Sequence, residues 1–257
     1  MKDTTETITY LWKIIVHPGA VWRELEQDNR ILLPVLIILS LNVFMVCIIL
    51  PETKNYTANI LTEQGMGPEL IKQSLTGISI TMILGALLVP LFTWVIHAAL
   101  LTIYNHYKAV KASFREVFPT GSFIWFAVFM IDVITTALIS KREDFKRFFK
   151  VAFYAWIPVF LGGCIKKLLI KIMAYETVLS LRTSAAILLP MDRNSGFVFA
   201  FLNYMDVFTI WGLCLLVIGG TVMMKDQKIH KKELALYIFI LWFIYIILKS
   251  VFNVWVT

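Results

Sequence analysis

Charge is scarce in this chain: Asp, Glu, Lys and Arg make up 16% of its 257 residues, against about 25% in soluble domains. Six apolar segments of roughly 20 residues take up about half of it, and the connectors are too short to build a separate water-soluble core. No catalytic domain outside a membrane is therefore expected. Cysteine is scarcer still. Cys47, Cys164 and Cys214 each lie in an apolar segment, which speaks against a disulfide framework or a CxxC site. The N-terminal stretch before Ile31 has no apolar run followed by a small-residue cleavage site, so the first span itself is expected to direct insertion.

The familiar chemical signatures are missing too. There is no Ser-centred nucleophile elbow, P-loop, dinucleotide fingerprint or HExxH motif, and no His–His or Cys–His ligand spacing. The expectation is a non-enzyme with no catalytic residue, cofactor or metal. The 24 Lys+Arg outnumber the 17 Asp+Glu but are spread between apolar runs. A nucleic-acid binder would gather them into one basic patch, so anionic headgroups are the expected partner and nucleic acid is not.

What is present is apolar: 59% hydrophobic residues and a mean hydropathy of +0.76. Between Tyr10 and Leu25 the residues Leu11, Ile14, Ile15, Val21, Trp22 and Leu25 recur at helical spacing, predicting an amphipathic helix on the membrane, split near His17-Pro18-Gly19. Ile31–Leu50 reads as a first span, Pro51–Gln73 as a loop with a short helical piece around Glu69–Ser74, and Leu75–Tyr104 as a second span. Gly77, Thr81 and Gly85 then fall on one face of that second span, where another helix can approach closely. Phe118–Ile139 reads as a span or a re-entrant piece, Val151–Met173 as a span with snorkelling lysines, and Tyr175–Pro190 as an interfacial helix. Phe197–Met224 and Leu234–Val256 complete the set.

The fold class expected is all-α: a polytopic transmembrane helical bundle of five or six spans with an N-terminal amphipathic interfacial helix. It would form one integral membrane domain over residues 1–257, with 1–30 cytoplasmic or interfacial and 31–257 in the bundle. Counting Lys and Arg with the N-terminus inside gives thirteen against eleven for six crossings. It gives sixteen against eight if Phe118–Ile139 does not cross, which favours five.

Four short stretches carry a family likeness: Trp12-Lys13-Ile14-Ile15-Val16-His17-Pro18 with Val21-Trp22; Leu33-Pro34; Phe145 to Pro158, including Tyr154-Ala155-Trp156-Ile157-Pro158; and Asp206-Val207-Phe208-Thr209-Ile210-Trp211 running into Ile218-Gly219-Gly220. In these the chain resembles the bacterial branch of the Yip (Ypt-interacting protein) domain family of membrane proteins. The resemblance implies about five spans, to which Ala109–Lys141 is surplus. It also implies an adaptor role with no substrate; in eukaryotes such adaptors engage Rab-type GTPases and trafficking machinery.

Six residues are candidates for function. Asp206 and Asp132 are acids within apolar runs, where a charge costs about 2.5–3.5 kcal/mol unless compensated. Each is either a proton, cation or partner site, or a polar group bonded inside the bundle. His97 is expected to hydrogen-bond a neighbouring helix. Tyr154, Pro158 and Trp211 belong to the family-like stretches, and Pro158 and Pro90 interrupt spans. The basic cluster Lys141, Arg142, Lys146, Arg147 and Lys150 is expected to set topology before it docks anything. The expected partners are the lipid bilayer, other integral membrane proteins and a second copy of the chain, in a bacterial cytoplasmic membrane. The rival reading is a small transporter or channel subunit with Asp206, Asp132 and His97 on its path.

Overall fold

The computed structural model of the chain describes residues 2–27, 31–109, 142–173, 183–189, 196–224 and 230–256. These form α1 (Lys2–Val16), α2 (Pro18–Gln27), α3 (Leu32–Glu63), α4 (Pro68–Ala109), α5 (Arg142–Ala155), α6 (Ile157–Ile172), a short 3-10 turn (Ala185–Leu188), α7 (Phe197–Tyr204), α8 (Val207–Met223) and α9 (Lys231–Val256). The molecule is an all-α polytopic membrane bundle. Among the described residues, four helical stretches are long and apolar enough to cross a bilayer: Leu32–Glu63, Pro68–Asn105, Asp144–Ile172 and Lys231–Asn253. Beside them stands a shorter apolar helix, Val207–Met223. The segment Phe118–Ile139, and Asp132 with it, lies outside the described residues.

Local chemistry explains most boundaries. The amphipathic N-terminal stretch splits where the sequence indicates: Pro18 opens α2, where its missing N–H costs nothing, and His17 stands between the two helices. The loop expected at Pro51–Gln73 is instead helical as far as Glu63. Pro51 removes the one backbone bond that would reach Cys47 O, and the helix continues through it; beyond it the Thr53 and Thr57 hydroxyls bond the carbonyls of Ile49 and Thr53, at 3.0 and 2.8 Å. Its 32 residues span about 48 Å, well beyond the roughly 30 Å of hydrocarbon.

The reversal into α4 is made by Gly65, at φ +77°. Its N–H bonds Thr62 O at 2.9 Å while Met66 N–H bonds Leu61 O at 3.1 Å, the paired closure of a helix end that needs a left-handed residue.

Two of the expected spans carry a break in the helix. One, already marked by Pro158, is interrupted only at Trp156 between α5 and α6, because Pro158 has no N–H to offer Tyr154, and Asp144–Ile172 as a whole remains long and apolar enough to cross. The other stops between α7 and α8 at Met205-Asp206, where the backbone turns aside to pair with the segment before the 3-10 turn. That pairing also overturns the interfacial helix expected up to Pro190, as far as it is described. Ala185 N–H bonds Met205 O at 3.0 Å, and residues 183–184 are therefore extended.

The chain clusters into two compact units. The first takes in Met1–Ile31, Phe92–Ile157 and Trp211–Ile244; the second takes in Leu32–Leu91, Pro158–Ile210 and Tyr245–Thr257. The first has an aromatic core of Trp22, Trp94, Phe148, Phe153 and Tyr154, all essentially without exposure. The second is built on the paired faces of α3, α4 and α6, with Asn42 among its buried residues.

Candidate functional site

In the second unit the polar groups that the apolar spans carry are bonded to one another. Asp206 sits immediately before α8 and caps it: its Oδ1 accepts the Phe208 N–H at 2.9 Å, satisfying one of the open donors of a helix start. Its Oδ2 accepts the Thr183 hydroxyl and lies 3.5 Å from Lys166 Nζ of α6. The Asp206 side chain is 17% exposed and that of Lys166 47%.

Close packing holds this geometry. A Cβ on Gly162 of α6 would lie 2.5 Å from the Phe208 ring, so only glycine lets the start of α8 approach. The acid thus stands at the start of a helix, whereas the unbroken apolar run places it inside a span.

The other lysines of α6 are also engaged. Lys167 Nζ donates to Asn42 Oδ1 of α3 at 2.9 Å, while Asn42 Nδ2 donates to Ala86 O of α4 at 2.8 Å, so one relay fastens three helices. Lys171 pairs with Glu52 of α3. The sequence marks these lysines only as snorkelling and Asn42 only as an interruption. The usable signal is three cations in one apolar helix, which each need a partner.

The first unit shows what the family-like stretches do. Trp22 of α2 is fully buried, lies edge-on to Tyr154 of α5 with centroids 6.3 Å apart, and presses on α8 at Gly219. A Cβ added there would meet its ring at 2.8 Å. Gly220 faces Leu234 and Leu101 in the same way, at 3.0 and 3.2 Å.

Trp94 of α4 meets Phe153, Trp156 and Phe149 edge-on, at centroid distances of 4.9, 5.6 and 6.3 Å. Lys150, buried at 6% exposure, donates to Leu25 O at 2.9 Å, and Arg147 donates to Met223 O at 3.3 Å. These two cations of the basic cluster stand at the C-terminal ends of α2 and α8, where helix dipoles and open carbonyls favour positive charge. The cluster thus does internal work that charge counting could not show.

The predicted residues do not converge. Tyr154 is in the aromatic core, and Pro158 is buried at the start of α6. Trp211 is 37% exposed on α8. His97 Nδ1 donates to Thr93 O at 2.8 Å, so its bond is within α4 rather than to a neighbouring helix as expected. Among the described residues no three His, Cys, Asp or Glu side chains group as metal ligands. Asp206 is held by two hydrogen bonds and a cation, an arrangement that fastens α6, α8 and the extended segment at Thr183 together.

Residues 12–252 match the Yip1 domain. The chain belongs to the Yip1 domain family. As a Yip1-domain protein it is an integral membrane protein, of a family not known for enzymatic activity. No curated protein and no solved structure matches it. The matched stretch begins at Trp12 and ends at Phe252, so it takes in the aromatic lock of the first unit and the Asp206 junction of the second.

Proposed function

We propose that this Yip1-domain protein is a non-catalytic membrane adaptor, one integral membrane domain that holds another integral membrane protein through its exposed helix faces. The observation that carries this reading is the contrast between its glycines. Gly162, Gly219 and Gly220 are each filled against a neighbouring side chain, whereas a Cβ on Gly77 or Gly85 of α4 would meet nothing within 4 Å. Glycine inside a helix is less favourable than alanine by about 0.5–1 kcal/mol, and among the described residues nothing packs on Gly77 or Gly85 in return. A helix of a partner protein, packed close over Gly77, Thr81 and Gly85, accounts for them.

The neighbouring side chains Ile80, Leu84 and Leu88 are 54%, 49% and 46% exposed, which supplies the apolar rim of such a contact. The resemblance to the bacterial branch supports a bacterial cytoplasmic membrane as its location. The transporter reading is weaker, because the acid it relies on in the described chain is already bonded to Thr183 and Phe208 and paired with Lys166.

Purification in mild detergent should recover one membrane protein at fixed stoichiometry, and Gly77→Leu with Gly85→Leu should release it while leaving the chain folded. Recovery of a self-dimer would make the second copy the partner. Recovery of the chain alone, with the double variant behaving identically, would remove the reading.

A further inference from the structure

We propose that Lys249, Tyr204 and Asn253 form a binding site for the phosphate of an anionic glycerophospholipid. Lys249 differs from the three lysines of α6 in the same unit. Lys166 faces Asp206, Lys167 faces Asn42 and Lys171 faces Glu52. Lys249 is exposed and rests on two tyrosine faces instead, 4.5 Å from the Tyr204 ring centroid and 5.5 Å from that of Tyr245. Among the described residues no carboxylate pairs with it. Cation–π contact orients an ammonium without neutralising it, so a full positive charge remains for an anion.

The donors beside it suit a phosphate. Tyr204 Oη accepts a hydrogen bond from Asn253 Nδ2 at 2.9 Å, which leaves its own proton free to donate towards the same place.

Depth selects a lipid as the source of that phosphate. Lys231 and Lys232 open α9, and Lys249 lies seventeen residues beyond Lys232. At 1.5 Å per residue this is about 26 Å, close to the thickness of the hydrocarbon. With the paired lysines at one headgroup layer, Lys249 is at the other. Around it Leu248, Val251 and Phe252 are 59%, 45% and 67% exposed, an apolar surface for an acyl chain. The two aromatic faces that would otherwise receive a choline are occupied by the chain's own ammonium, so the site favours a headgroup of net negative charge.

Native mass spectrometry of the full chain in detergent tests this, titrated separately with phosphatidylglycerol, phosphatidylcholine and inorganic phosphate. Phosphatidylglycerol should give a saturable adduct that Lys249→Gln weakens about fivefold and Lys249→Arg restores, with a smaller loss for Tyr204→Phe. Lys72→Gln, which removes an exposed charge elsewhere, should leave it unchanged. Equal retention by Lys249→Gln and the native chain would overturn the proposal. So would equal loss on Lys72→Gln, phosphatidylcholine binding as tight as phosphatidylglycerol, or a saturable adduct with inorganic phosphate.

Discussion

Glycine shows at single-residue scale how the chain separates internal from external contacts. At Gly219 an added methyl would lie 2.8 Å from the Trp22 indole and 2.9 Å from Val151, both in a packed core. Gly219→Ala should therefore destabilise by about 1–3 kcal/mol through overpacking, read as a lower unfolding temperature in detergent. Gly77→Ala should be neutral or raise stability by up to about 1 kcal/mol in the isolated chain, since its methyl meets nothing. If both lower it equally, the distinction between a filled and an open glycine is wrong. Sequence alone shows that small residues recur, and it cannot show which of them are filled, because the filling side chains come from distant segments. Trp22 and Gly219 are separated by most of the chain.

Helix ends carry most of the polar chemistry at the scale of the element. Asp206 caps α8, Arg147 and Lys150 close the C-terminal ends of α8 and α2, and Gly65 turns α3 into α4. Asp206→Asn keeps an oxygen for the Phe208 N–H and should lose little stability. Asp206→Ala removes the cap and should cost about 1 kcal/mol or more, leaving Lys166 without its carboxylate. Thermal unfolding of the two variants side by side checks this, and a larger loss for Asn than for Ala would contradict it.

Much of the element structure was legible in advance. The split at Pro18, the breakers Gly65 and Pro68, and the last span follow from proline, glycine and apolar runs. The helix past Pro51 and the interruption at Met205-Asp206 were not legible. The first runs through a proline that ordinarily marks a break, and the second depends on a backbone pairing with residues 183–185 that no local pattern encodes. The acid at 206 was visible as an anomaly, but its partners Thr183 and Lys166 were not.

For the molecule as a whole, Glu52, Arg147, Lys150, Lys166, Lys167 and Lys171 of the described spans are spent on joining helices, and many large apolar side chains are exposed. Under the proposed function, the exposed faces, above all the one on α4, are the means by which the protein holds a partner. Site-specific photo-crosslinking in native membranes tests this most directly, with the reactive group at Ile80 of α4 and, as a control, at Leu36 of α3, which is similarly exposed. The account predicts one discrete protein adduct from Ile80, abolished by Gly77→Leu, and only lipid adducts from Leu36. Lipid adducts alone from both positions would contradict it.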